Sequence, residues 1–333
     1  MNKKCILILP YFGKFKNYFE MFLMSCSAND KIDWLIISDQ ECPRNYKNIK
    51  WKIMEFFEFK RLIQNKFDFD ICLETPYKLC DYKPSYGYVL EEYIRGYEYW
   101  GHCDCDLIFG NLNELLVPLL NANYDKLFTA GHLTLYRNTK ENNRRFMNKN
   151  LQGTYLYKIA FSNKKIFGFD EDCYFENIHT IFQKDNCKLY EKDLSFNVSP
   201  TYYNIFREYY NEKAHRWGIE SLKTNLLIWN GKDINSFQKI ENNIKENSYL
   251  YIHLHMRRMK NSILPEATNY IKICPQKFEY INNIPRTIDT WKREKKIFFS
   301  IEIIKRFLKK RYYVLKSFGK SVKNINPYDG FDI

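Results

Sequence analysis

Apolar positions along the chain follow two rhythms. CILILP (5–10) is an unbroken run closed by a proline, and FKNYFEMFLMSC (15–26) then brings apolar residues back at helical spacing. IDWLIISD (32–39), which ends on an acid, and IKWKIMEF (49–56) are further runs of strand length. Short unbroken apolar runs suit strands buried on both faces. Their alternation with helical stretches predicts an α/β fold with a mostly parallel sheet flanked by helices, and with ligands at the strands' carboxyl ends. KPSYGYVLEEYIRG (83–96) predicts a helix that starts near Pro84 and stops at Gly96. Further strands are expected at KLFTAGHLTLY (126–136), TNLLIW (224–229), YLYIHLHM (249–256) and YIKIC (270–274). Helical spacing returns from Trp291 to Phe318. The one candidate boundary is INNIPRT (281–287), which divides a main domain over 1–280 from an extension over 281–333.

Composition narrows this picture. With 45% hydrophobic and 18% aromatic residues among 333, the chain can bury a sizeable core and is not of disordered type. Its ten cysteines show no CxxC pair and several lie in apolar runs, which points to free thiols and a reducing, cytoplasmic setting. The first apolar run is too short for a secretory signal, and no stretch approaches the roughly 18 apolar residues of a membrane span. The net charge of +13 is concentrated in the extension, where twelve basic residues face two acids between Lys292 and Lys323. The remainder is close to neutral, so no nucleic-acid partner is expected. IFFSIEIIKRFLKKRYYVLKSF (297–318) puts Ile297, Ile301, Ile304, Leu308 and Leu315 on one helical face with lysines and arginines on the others. Such a helix suits attachment to an anionic membrane surface, here the inner face of the cell membrane. Packing on the main domain with a solvated basic face is the alternative.

The stretch GHCDCDLIFGN (101–111) carries the chemistry. Read as one strand, it puts His102, Asp104 and Asp106 on one face and Cys103, Cys105 and Leu107 on the other. Two such carboxylates can meet one hard divalent cation and leave positions open for phosphate oxygens. A pair of solvated acids at a strand end is the alternative. A zinc site from His102, Cys103 and Cys105 lacks a fourth ligand.

Lys78, Asp81 and Lys83 form a K-x-x-D-x-K element ahead of the helix that leads into Asp104 and Asp106. This order resembles sugar-nucleotide-dependent glycosyltransferases of the GT-A fold, whose K…D…R element precedes a metal-binding DxD. Lys83 stands where those families more often carry arginine. PYFGKFKNYF, KLCDYKPSYGY, GHLTLYRNT, FDED and YIHLHMRRM also resemble an uncharacterised bacterial family found with capsule and lipopolysaccharide genes, over roughly residues 1 to 275.

The resemblance implies a GT-A-like domain that moves a sugar from a nucleotide-sugar donor, a UDP-sugar by analogy, to a glycan or lipid-linked oligosaccharide acceptor. Mn²⁺ or Mg²⁺ would be held by Asp104, Asp106 and a histidine from a late strand; His253 is preferred and His255 kept open. Asp104, Lys78, Asp81, Lys83 and Arg257 would serve the donor, with Tyr11 and Asp39 at its base and ribose. Asp170 and Glu171, in IFGFDEDCYF (166–175), are candidates for the base that faces the acceptor hydroxyl. They would otherwise be solvated loop acids. A nucleotidyltransferase would use the same acid pair, but Gly96 is followed by Tyr97 rather than the serine that cradles a nucleotide. A nonenzymatic membrane- or nucleic-acid-binding protein would leave the acid pair unexplained.

Overall fold

The computed structural model describes residues 4–172, 176–255, 257–260 and 270–295. The basic helix expected at 297–318 lies outside these residues. In chain order the first strands are β1 (Cys5–Pro10), β2 (Ile32–Ser38), β3 (Ile49–Ile53), β4 (Tyr99–Cys103), β5 (Leu107–Phe109), β6 (Lys126–Leu127), β7 (Leu133–Arg137) and β8 (Leu189–Tyr190). There follow β9 (Ser195–Val198), β10 (Arg207–Asn211), β11 (Arg216–Ile219), β12 (Asn225–Trp229), β13 (Ile234–Ile240), β14 (Asn243–Tyr249), β15 (Tyr251–His253), β16 (Tyr270–Ile273) and β17 (Phe278–Ile281).

These strands form three sheets. The first has the order β3-β2-β1-β4-β7-β6-β8, with β3, β2, β1 and β4 parallel and β7 antiparallel to both neighbours. The mostly parallel sheet expected from the apolar runs is therefore present. β1 shows why its run is unbroken: Ile6 and Ile8 enter a core beneath helix α2 (Phe56–Gln64), while Cys5, Leu7 and Leu9 enter another beneath helix α1 (Phe19–Ser27). Both faces are covered, as parallel strands require. The second sheet runs β11-β10-β9-β15-β5 and the third, entirely antiparallel, β14-β13-β12-β16-β17. Ile108, Phe196, Val198 and Ile252 of the second sheet share a core with Leu227, Ile234, Ile271 and Phe278 of the third.

Several expectations change. GHCDCDLIF is not one strand: β4 belongs to the first sheet and β5 to the second, and the chain crosses between them at residues 104–106. KLFTAGHLTLY is a hairpin, β6 and β7, and not one strand. The helix expected over 83–96 is two single turns, Lys83–Ser85 and Tyr86–Val89, which continue two earlier ones, Pro76–Lys78 and Leu79–Tyr82. Pro76 and Pro84 remove amide donors, and each begins a fresh turn. Gly87 is required there, because a Cβ would lie 2.3 Å from the buried Trp100 ring. The polar strands β9 to β11, β13 and β14 carry no strong apolar rhythm and were not anticipated.

The described cysteines are free thiols. Among the described residues no helix is long and apolar enough to cross a membrane. The chain beyond Ile281 continues into a helix, Ile288–Glu294, whose Trp291 is buried and donates from Nε1 to the Phe237 carbonyl (2.9 Å).

Candidate functional site

In a doubly wound sheet ligands lie where strand order reverses. Here that point falls between β1 and β4, where the order β3-β2-β1 gives way to β4. Tyr11 follows β1 and Asp104 follows β4, so the crossing at 104–106 stands at the mouth of this crevice. The crossing is braced from both sides: Asp104 N–H donates to the His132 carbonyl (3.1 Å), and Leu254 N–H donates to the Asp106 carbonyl (3.0 Å).

The crossing brings together groups that the sequence spaces far apart. One ligand atom each from Asp104, Asp106 and His253 lie within 4.8 Å of one another. Asp106 and His253 are buried and Asp104 is about one third exposed, with 33% of its side chain accessible. His253 Nε2 stands 3.4 Å from Asp106 Oδ1, and its Nδ1 lies 2.9 Å from Asn197 Oδ1. Since an amide oxygen only accepts, Nδ1 carries a proton, and Nε2 is the ring atom turned to the acids. That is the arrangement by which a ligating imidazole is oriented from behind. Two carboxylates and one oriented imidazole form a donor set that fits a divalent cation. Burial disfavours protonation of His253, but Asp106, Asp104 and Glu171 outweigh it and raise its pKa. This is the electrostatic signature of a place that wants positive charge.

His255 does not share the face of His253. The strand ends at His253, and His255 takes φ +49° in the following turn, where its ring lies tilted against His253 at 4.1 Å. Burial, then His253, lowers its pKa to about 3. His132, at the other side, lies 4.3 Å from the His253 ring and shares a hydrogen bond with the Tyr251 hydroxyl (2.9 Å). His102, expected beside the acids, is fully buried on β4 and 6.1 Å from the Tyr136 ring.

Lys83 is the site's fixed cation. Its ammonium reaches Asp104 Oδ1 (2.8 Å), Asp170 Oδ2 (3.0 Å) and the Gly131 carbonyl (2.9 Å). Burial opposes its charge, yet Asp104 and Asp170 together hold its pKa well above the ordinary lysine value. Asp170 is itself buried against Gly131, where a Cβ would meet its Oδ2 at 2.4 Å. Its carboxyl pKa is raised by burial, against the pull of Lys83. Asp170, expected to face the acceptor hydroxyl, is thus held against the Lys83 ammonium. Glu171 Oε2 accepts from Gly131 N–H at 3.4 Å.

Other expected donor contacts also move. Lys78 and Asp81 are buried and paired at 2.6 Å, and Lys78 also donates to the Lys165 carbonyl. Asp81 accepts from Phe167 N–H (3.2 and 3.1 Å) and Phe169 N–H (3.0 Å). The pair therefore anchors the loop that delivers Asp170 and does not face open space. Arg257, expected near a diphosphate, is buried and donates to the carbonyls of Tyr203 (2.7 Å), Ser199 (2.8 Å) and Tyr202 (2.7 Å). Its guanidinium organises the 199–203 loop instead.

Tyr11 and Asp39 stay at the crevice. Asp39 takes the Gly13 N–H on both oxygens (3.0 and 3.1 Å), and Gly13 has φ +102°, a turn that favours glycine. Tyr11 stacks on Phe15 at 4.7 Å, and burial pushes its hydroxyl pKa up to about 12. Phe15, Lys14, Lys16, Gln40 and Pro43 line a cleft of about 520 Å³ beside them.

No curated protein matches this chain. Among the solved structures similar over part of it are two glycosyltransferases. One is a galactosyltransferase, LgtC, in complex with donor and acceptor sugar analogues: 12% identity, 59% of this chain, 76% of that one, TM-score 0.34. The other is the apo form of the glycosyltransferase GlyE of Streptococcus pneumoniae TIGR4: 12% identity, 59% of this chain, 47% of that one, TM-score 0.31. At that identity and superposition neither bears on this chain's chemistry. A family profile matches residues 7–282, from β1 through β17, and so spans the crossing, His253 and the anchoring loop: the chain belongs to the family of unknown function DUF6625.

Proposed function

We propose that the protein is a metal-dependent glycosyltransferase of GT-A type that uses a nucleotide-sugar donor, a UDP-sugar in the first instance, and a glycan or lipid-linked acceptor in bacterial surface-polysaccharide synthesis. The observation that carries this reading is the convergence of Asp104, Asp106 and His253 within 4.8 Å at the strand-order reversal, with Asn197 fixing the imidazole. When bound there, Mn²⁺ or Mg²⁺ supplies positive charge to a departing diphosphate. Lys83 adds a second, permanent cation one side chain away and keeps Asp104 in place. The Phe15 cleft beside Tyr11 and Asp39 offers an aromatic wall for the nucleoside. A cytoplasmic protein attached peripherally by its basic extension would meet lipid-linked acceptors at the membrane's inner face.

Thermal unfolding in the presence of UDP-, GDP- and dTDP-sugars, with and without Mn²⁺, tests this. Ligand that binds only the folded state raises Tm by an amount that grows with the logarithm of its concentration over Kd. A shift that needs metal and nucleotide sugar together, and that Asp106→Ala abolishes, is the expected result. A larger metal-dependent shift with nucleoside triphosphates would overturn it in favour of nucleotidyl transfer.

A further inference from the structure

The sheet that carries His253 also carries a carboxylate, Glu208, on a strand the sequence did not single out. Residues opposite one another across a sheet share a face. Across the second sheet the register runs Leu107, His253, Asn197, Glu208 and Ile219. Glu208 is thus on the same face as His253, two strands away and roughly 10 Å distant at the usual spacing between strands. The adjacent row on that face contains Phe109, Tyr251 and Ser195, with Tyr210 paired to Trp217 further along. The opposite face is spent on the core shared with the third sheet, where Ile108, Phe196 and Ile252 are buried.

Four observations set this face apart. Among the described residues the half-buried Glu208 carboxylate has no hydrogen-bond or ion-pair partner, unlike Asp170, Glu171 and Asp172. Burial raises its pKa, against the influence of His253, which makes it a stronger base than a solvated glutamate. Trp217 is half-buried, with its ring 6.0 Å from His132, which in turn lies 4.3 Å from His253. The hairpin that carries both residues is held rigidly: the Tyr210 hydroxyl donates to Asp172, and Arg207 donates to the Ser195 carbonyl (2.7 Å) and Glu220 (3.0 Å).

We propose that Glu208 and Trp217 form the acceptor-sugar subsite, with Trp217 as the platform for a sugar ring and Glu208 as the base for its attacking hydroxyl. The inference rests on the reading of Asp104, Asp106 and His253 as the metal end of a nucleotide-sugar site. Metal–oxygen bonds of about 2 Å, a phosphate and one anomeric carbon fit within a span of roughly 10 Å. In the step, the acceptor O–H proton passes to a Glu208 oxygen. The acceptor oxygen's electron pair forms the new bond to the anomeric carbon, and the bond from that carbon to the diphosphate oxygen breaks with its pair leaving on the diphosphate.

The test uses the full chain, the nucleotide sugar selected by the thermal panel, Mn²⁺, and the methyl glycosides of galactose, glucose and N-acetylglucosamine as acceptor probes. Saturation-transfer NMR reads contact and mass spectrometry reads transfer. Glu208→Gln is expected to keep the metal-dependent nucleotide-sugar shift and lose transfer about a hundredfold or more, with partial recovery in Glu208→Asp. Trp217→Ala is expected to raise the glycoside KM about tenfold, a loss typical of a stripped aromatic contact, with little change in kcat. The subsite is overturned if Glu208→Gln transfers within threefold of wild type, if Trp217→Ala leaves KM unchanged, or if wild type takes the nucleotide sugar yet contacts none of the glycosides. A wild-type chain with no metal-dependent nucleotide-sugar shift instead overturns the underlying reading, and the subsite with it.

Discussion

Asn197 touches none of the acids, yet it decides what His253 can do. Its side-chain oxygen, 2.9 Å from Nδ1, holds the imidazole with Nε2 facing Asp106. Outer partners of this kind are worth about 10–100-fold in metal affinity. Asn197→Ala should therefore weaken Mn²⁺ binding, measured by calorimetric titration, by one to two orders of magnitude while Tm without metal falls only modestly. Unchanged affinity would show that Asn197 is ordinary strand packing. The acid pair was legible in the sequence because DxD is a compact signal and its cysteines alternate into the core; Asn197 and Glu208 were not. A polar residue on SFNV or REYYN looks like any solvated strand position until sheet register sets it across from His253.

Between Pro76 and Val89 the chain is four consecutive single turns, and the Lys78–Asp81 pair fastens them to the 165–169 loop. Both groups are buried, so removing one partner leaves the other charge without compensation. Such a loss costs about 3–5 kcal/mol, whereas replacing both by apolar residues costs much less. Asp81→Ala should lower stability in urea unfolding by about that amount, and Lys78→Met with Asp81→Leu should recover most of it. If Asp81→Ala left stability intact and removed nucleotide-sugar binding, the pair would be a donor contact after all. The K-x-x-D-x-K order was readable, but its role was not, because spacing along the chain does not reveal that Asp81 points at the amides of residues 167 and 169.

At the scale of the whole fold, stability should rise with pH through neutrality because of one buried cation. Lys126 lies in the first sheet near His179 (3.3 Å), and burial lowers its pKa from 10.5 to about 7, with Asp172, Glu191 and Asp170 acting the other way. The unfolded chain keeps that proton up to its higher pKa, so between the two values it binds more protons than the folded chain. Stability then increases with pH by up to about 1.4 kcal/mol per unit, and the cost of burying the charge is fully present only below about pH 7. Lys126→Met should gain on wild type at pH 6.5 and lose that gain by pH 10 in parallel urea titrations. A difference that does not change with pH would show that the ammonium stays charged throughout. The sequence by itself determined the parallel half of the first sheet, because strands covered on both faces must be apolar without a break. It also made the acid pair legible, because two carboxylates inside an apolar run call for a partner, donors or water. Only the tertiary structure decided that the chain changes sheets at those acids, that His253 and not His255 joins them, and that Arg257, Lys78 and Asp81 serve as anchors. The physical reason is that strand register, sheet crossing and backbone hydrogen bonding are set between residues as far apart as Asp106 and His253, and no local pattern records them.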